Sequence, residues 1–230
     1  MIELIQINAD NIEGEHICCA LGAGKEAQHS TGVKKDWMRQ QFGKGYHFCR
    51  ADVRGKVFIE YTSVQNAWAP VQGDNWLFLD CFWVSGQYKK QGLANRLLQT
   101  AVEYAEQEGM AGLCAVSTQK KRSFISDAGF YKHKGFVFVD EAPPDFILLA
   151  LPLMDGVPLP AFGESVKSPS LKEQGLSLYY TDHCPHTSRY AHLLRDVAEG
   201  RGVPFHLHKF ESAADAQKAP NPFTSWSMYW

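Results

Sequence analysis

The most constraining feature of this sequence is the run from Trp76 to Gly109, where a strand, a polar loop and a helix follow one another directly. Trp76-Leu-Phe-Leu-Asp-Cys-Phe-Trp-Val84 is apolar at odd and even positions alike. A strand apolar on both faces must be covered on both, so it belongs inside a sheet. Ser85-Gly-Gln-Tyr-Lys-Lys-Gln-Gly92 is polar and bounded by glycine, and reads as a loop. Leu93, Leu97, Leu98, Ala101, Val102 and Ala105 then recur at intervals of three and four, with Glu103, Glu106 and Gln107 on the other face. That spacing predicts an amphipathic helix ended by Gly109. The class is therefore α/β. Lys56 to Thr62, Gly112 to Ser117, Gly135 to Asp140 and Phe146 to Leu153 are the further expected strands, with a helix through Phe130-Tyr131.

Composition limits the function classes. With 230 residues, 45% of them hydrophobic, the chain can build one large domain or a medium and a small one. Its 23 Lys and Arg against 25 Asp and Glu give a net charge of −2, so no overall field draws it to nucleic acid or to an anionic membrane. The longest apolar run, Phe146 to Met154, holds nine residues and a proline, where a bilayer span needs roughly 20. The N-terminus has no basic leader or cleavage site, and Cys18, Cys19, Cys49, Cys81, Cys114 and Cys184 form no CxxC pair. The expectation is a cytoplasmic protein with reduced thiols, with Cys18, Cys19 and Cys81 as core residues.

Texture changes near residue 155. Asp155-Gly-Val-Pro-Leu-Pro-Ala-Phe-Gly-Glu and the following Ser165-Val-Lys-Ser-Pro-Ser are rich in proline, glycine and serine. The expected organisation is a domain at 1–154, a linker at 155–174 and a module at 175–230. In the module, Leu176 to Tyr180 reads as a strand and Pro185 as the first residue of a helix running through Glu199. Ser225 to Trp230 reads as an unfinished strand, as if the module were truncated.

The chemistry is expected at the loop before the helix. A helix N-terminus presents unpaired amides and the positive end of the helix dipole, a natural site for phosphate. Lys89 and Lys90 add charge, Gly92 admits close approach of an anion, and Ala94 keeps the first turn open. The loop is not a nucleotide-triphosphate loop, because Gly92 is followed by Leu93 and Ala94 rather than Lys and a magnesium ligand. Nor is it a dinucleotide fingerprint, since Gly86 and Gly92 have the wrong spacing.

The stretch Val84, Tyr88, Lys89-Lys90-Gln91-Gly92-Leu93-Ala94 and Asn95-Arg96-Leu97-Leu98 resembles the acetyl-CoA loop of the GNAT superfamily of N-acetyltransferases. Lys89 stands where that family usually has Arg or Gln. Tyr131-Lys-His-Lys-Gly135-Phe136 is similar to the family's tyrosine before a Gly-Phe strand start, although Phe124 stands where an asparagine is usual. His16-Ile-Cys-Cys19, Phe58-Ile-Glu-Tyr61, Ala67-Trp68, Asp80 to Gly86 and Lys132 to Asp140 resemble the YoaP-type bacterial group. Tyr179 to Thr187 resembles that group's thioredoxin-like appendage. The resemblance implies a mixed, mostly antiparallel sheet flanked by helices and splayed at the cofactor strand, plus a small, incomplete thioredoxin-like α/β module.

It also implies acetyl transfer from acetyl-CoA to a primary amine of a small molecule, by direct attack in a ternary complex. Phe82, Trp83, Val84, Lys89, Lys90, Gln91, Gly92, Leu93, Ala94 and Asn95 would bind the cofactor, and the backbones of Phe82 and Val84 would pair with pantetheine. Tyr131 would protonate the departing thiolate, with Asp80 or Glu60 as base. Strand alternation puts Asp80 on the face of Phe82 and Val84. No resident metal, nucleic acid or membrane is implied, and a homodimer fits the superfamily. Trp37, Trp68, Trp76 and Trp83 are candidates for an aromatic acceptor pocket, and Lys120-Lys-Arg122 for steering an anion.

Two other readings stay open from the residues. One is a non-catalytic sensor that binds CoA or another ligand. The other centres on Cys184, whose expected place at a helix start would lower its pKa for thiol chemistry. His183, Cys184, His186, His206 and His208 could alternatively hold a metal.

Overall fold

The apolar strand at Trp76 to Val84 sits inside a seven-stranded sheet, as its two-faced hydrophobicity requires. The computed structural model describes residues 2–17, 19, 21, 22, 24–171 and 173–230. In chain order the elements are β1 (Leu4–Ile7), α1 (Lys25–Phe42), β2 (His47–Ala51), β3 (Val57–Ser63), β4 (Val71–Gln72), β5 (Trp76–Val84), α2 (Leu93–Gln107) and β6 (Gly112–Thr118). They continue with α3 (Ala128–His133), β7 (Val137–Ala142), β8 (Phe146–Pro152), β9 (Ala161–Phe162), α4 (Glu164–Lys167), β10 (Leu176–Tyr180), α5 (Thr187–Gly200), β11 (Phe205–Lys209), α6 (Ala213–Ala216) and β12 (Trp226–Tyr229).

The large sheet runs β1-β2-β3-β5-β6-β8-β7, and its only parallel pair is β5–β6. That pairing lasts from Trp76↔Gly112 to Leu79↔Ala115. Beyond it β5 continues beside β3 as far as Val84↔Val57, while β6 continues beside β8 as far as Thr118↔Phe146. The two strands part there, and the edge of β5 from Asp80 to Val84 that faces β6 has no strand partner among the described residues.

A bulge accompanies the split. Ile59 pairs with Phe82 and Tyr61 with Leu79, so Asp80 and Cys81 together oppose Glu60. An extra residue reverses side-chain alternation. Leu77, Leu79 and Phe82 pack under α2 with Leu93, Leu97 and Ala101. Trp76 and Phe78 face the other side, beside Cys114 and Leu148. Asp80 joins that second face, which corrects the expectation of Asp80 beside Phe82 and Val84: uniform alternation does not survive the bulge.

The residues after 154 cover this second face. The 155–174 stretch, expected as a linker, pairs β9 with β4, buries Phe162 and Val166, and accepts a hydrogen bond from Trp76 Nε1 at the Pro158 carbonyl (3.0 Å). Phe210, Ala216 and Ala219 share a core with Trp37, Met38, Phe48 and Phe58. The C-terminal sheet has the order β11-β10-β12, with β10 parallel to β11 through the α5 crossover and antiparallel to β12. Among the described residues, no helix is long and apolar enough to cross a membrane. Cys19 is half-buried against the shared core; Cys18 lies outside the described residues.

Candidate active site

Gly92 takes φ +76° as the N-cap of α2, and Lys90 takes φ +63°. Left-handed residues in a turn aim successive amides to one side and build an anion-binding concavity. Among the described residues, no acceptor engages the amides of Lys90 through Asn95. The turn lies at the surface: Lys89, Lys90, Gln91, Gly92 and Asn95 are exposed. Tyr88 anchors it from beneath, its ring lying so close on Gly55 that no side chain fits there.

This turn forms one end of a cavity of about 400 Å³ that runs past Val84, Ala94 and Phe130 to Phe82 and Ser126. Most of the residues expected to bind the cofactor meet here. Two do not. Gln91 turns its amide to the Gln87 carbonyl (2.7 Å), and Trp83, 37% exposed, lies on the opposite face of β5. Lys121 and Arg122 of the basic loop are engaged with Asp127 (3.5 Å) and Asp145 (2.6 Å).

Tyr131 comes from α3, whose N-cap Asp127 accepts from the Gly129 amide (2.8 Å). It is buried with Phe82, Phe130 and Phe136, and its hydroxyl meets the Ser126 side chain. Burial pushes the phenol well above its ordinary value, so it keeps its proton at neutral pH. The Ser126 hydroxyl also reaches the Phe82 carbonyl (3.4 Å), at the split between β5 and β6.

On the other face the bulge places Glu60 and Asp80 in a polar cluster that sequence reasoning missed. Glu60 is fully buried and accepts from Lys34 of α1, from the Tyr46 hydroxyl (2.6 Å) and from His183 Nε2 (2.5 Å). Burial alone would raise its pKa, but Lys34 and His183 outweigh it and hold the carboxyl well below its usual range. With every approach occupied, Glu60 cannot contact a substrate; expected as a candidate base from its place in the strand beside Asp80, it is made an anchor by its three donors. Asp80, 18% exposed, stands 3.5 Å from His183 Nε2. Burial raises its pKa, and so does Glu60, while His183 opposes them. The His183 pKa is also raised, because Asp80 and Glu60 outweigh the effect of burial.

Trp37, Trp68 and Trp76 are buried; Trp37 and Trp68 border a small cavity with Tyr46 and Asp80, and Trp83 borders a larger one on the second face. Cys184 corrects another expectation. It precedes α5, yet burial dominates and pushes the thiol up, not down. The four histidines of the candidate metal set find other partners: His183 goes to Glu60, His186 to the Cys19 carbonyl (3.2 Å), and His206 and His208 to the Gln174 carbonyl and Glu173. Among the described residues, no three metal-ligating side chains gather.

A family model described as "Acetyltransferase (GNAT) family" matches residues 15–136, and one described as "YoaP-like" matches residues 204–230. The "Uncharacterized N-acetyltransferase YoaP" of Bacillus subtilis (strain 168) is 40% identical over 225 residues, covering 98% of this chain and 89% of that protein. Among solved structures, a GNAT-family acetyltransferase from Desulfovibrio desulfuricans aligns at TM-score 0.49 and 17% identity, over 67% of this chain and 100% of its own. The Paia N-acetyltransferase of Thermoplasma acidophilum, solved with coenzyme A, aligns at TM-score 0.47 and 15% identity, over 65% and 98%.

Proposed function

Because the chain belongs to the GNAT family of acetyltransferases, we propose that it transfers an acetyl group to the primary amine of a small molecule by direct attack in a ternary complex. The chain is an acyltransferase and acetyl-CoA is its co-substrate. The observation that carries the finer reading is the run of unengaged amides from Lys90 to Asn95, opening on a cavity that ends where β5 and β6 separate.

The residues present fit the cofactor. The open amides with Lys89 and Lys90 suit a diphosphate. The partnerless edge of β5 suits a pantetheine arm added like a strand, held by the backbones of Phe82 and Val84. Acetyl-CoA supplies a thioester, whose acyl carbon is open to attack by an amine. Asp80, the carboxylate of the cluster that lines a cavity, accepts a proton from the amine; Tyr131 and the adjoining Ser126 hydroxyl carry a proton to the departing sulfur. The main contribution to rate is orientation of the amine and the thioester beside Phe82 and Ser126.

The same reading takes 1–154 as the transferase domain, 155–174 as the connecting segment and 175–230 as the appended module. The β10-α5-β11 crossover with antiparallel β12 supports a thioredoxin-like assignment of that module. We read the protein as cytoplasmic, where acetyl-CoA is available.

The test is a thermal melt with and without acetyl-CoA, joined to free-thiol release over an amine panel. At one hundred times its Kd a bound cofactor stabilises a fold by about 2.7 kcal/mol, so a rise of several degrees is expected, absent in Gly92→Trp. Tyr131→Phe should retain that rise and lose about a hundredfold in turnover. No rise in the unmodified chain rules out the enzyme reading.

A further inference from the structure

We propose that the C-terminal segment completes the acceptor side of the site: His183 is a positioning residue for Asp80, and the cavity between the two parts of the chain takes a primary monoamine with an apolar, aromatic-sized body. This rests on the acetyl-transfer reading above.

The first observation is the placement of His183. It lies in the loop between β10 and α5, is 4% exposed, and inserts between two carboxylates of the transferase sheet. Its Nε2 meets Glu60 at 2.5 Å and Asp80 at 3.5 Å, its Nδ1 meets the Ser225 hydroxyl at 3.3 Å, and its ring centroid lies 4.9 Å from that of Trp37. A histidine that only fastened the two parts together would need one partner. This one bridges a saturated carboxylate and Asp80, which reaches a cavity. Glu60 fixes the ring, and the ring then sets the charge and orientation of Asp80. Lys34, Tyr46, Cys81, Cys19, Cys184 and Tyr131 are the other titratable groups facing this cluster, with Lys56 and His186 on the cavity wall.

The second observation is the cavity itself, about 160 Å³. Phe78 and Trp83 wall it from the sheet and Pro185 and Phe223 from the C-terminal segment; Asp80 is its one carboxylate, and Lys34, Lys56, His183 and His186 also line it, Lys34 being engaged by Glu60. Phe124 stands at its edge, 79% exposed and at φ +67°, a conformation a bulky residue rarely adopts without a local reason. Phe82 and Ser126 line this cavity and the cofactor cavity alike, so an amine seated at Asp80 lies on the path to the acyl group. Asp80 is the one lining group that can hold an ammonium, and the apolar walls suit the body of the amine. The second ammonium of a polyamine would meet Lys56 or apolar surface, which is costly, and an amino acid as small as glycine would leave the aromatic walls unfilled. The walls contributed by the C-terminal segment also favour a small amine over a peptide.

The test uses the full chain, with 2-phenylethylamine and tryptamine as probes against spermidine, glycine and a short peptide with a free N-terminus. The aralkylamines should exceed the others in kcat/KM by about tenfold or more. Phe223→Ala should raise KM for 2-phenylethylamine about fivefold at unchanged kcat, with the acetyl-CoA thermal shift retained. His183→Asn should keep that shift, lower kcat and move the acid limb of the pH profile, with His183→Gln behaving likewise. Transfer in the unmodified chain with a wild-type pH profile in both His183 variants overturns the positioning role. An unchanged KM in Phe223→Ala, or preference for spermidine, glycine or the peptide, overturns the pocket assignment. If the His183 variants do not fold, Ser225→Ala, which removes the partner of the His183 Nδ1, should still move the acid limb, and an unmoved limb overturns the positioning role. Absence of an acetyl-CoA shift in the unmodified chain defeats the enzyme reading itself, an outcome distinct from these.

Discussion

Lys34 and Glu60 are 1% and 0% exposed, and each is tolerable there only because of the other. Glu60→Gln would leave the Lys34 ammonium buried without a counter-charge, and should lower stability by about 3–5 kcal/mol in urea unfolding. The same pair dictates acid sensitivity. The folded carboxyl of Glu60 is held below its ordinary value, so its contribution is complete above that value and is lost as pH falls towards about 2. His183 works in the other direction. Its folded pKa is raised above 6.5, so its contribution is complete below that value and is lost as pH rises through the folded one. Moving from about pH 6 to about pH 9 should therefore lower the Tm of the unmodified chain more than that of His183→Asn. Equal slopes for the two proteins would contradict the ionised His183 contact.

At the scale of elements, the turn before α2 is held by conformation rather than by crowding. Nothing lies within 4 Å of a Cβ built on Gly92, so Gly92→Ala clashes with nothing and suffers only from the left-handed φ of +76°. Its cost should be about 1–2 kcal/mol in chemical denaturation, whereas the large ring in Gly92→Trp should fill the cradle. Reversing Lys89 and Lys90 to Glu should weaken acetyl-CoA binding and reduce its dependence on ionic strength, measured by titration at low and high salt. The helix α1 illustrates why some elements were hidden from sequence reasoning. Its inward face carries Ser30, Lys34, Trp37, Met38 and Gln41, a helical spacing filled mostly with polar side chains. An apolar stripe is what periodicity detects, and the buried ion pair replaces it here. The bulge in β5 was equally hidden, because an extra residue in a strand of uniform hydrophobicity leaves no mark on the pattern.

Across the whole molecule, the two parts share their cores. Phe162 and Val166 pack with Trp76 and Phe78, and Phe210 with Trp37 and Phe58. Unfolding should therefore be one cooperative transition, with near-UV circular dichroism and backbone signals superimposed; two separated transitions would show that the parts are energetically independent.

The sequence by itself determined the strand, loop and helix from Trp76 to Gly109, and with them the α/β class and the exposed glycine turn before α2. Apolar periodicity and glycine placement are local properties, written within a few residues of where they act. Only the tertiary structure decided that Glu60 is an anchor, that Asp80 faces away from α2, and that His183 inserts between the two carboxylates. Those outcomes depend on which buried charges find partners across distant parts of the chain, and in a low-dielectric interior that pairing is settled by packing, beyond the reach of spacing along the sequence.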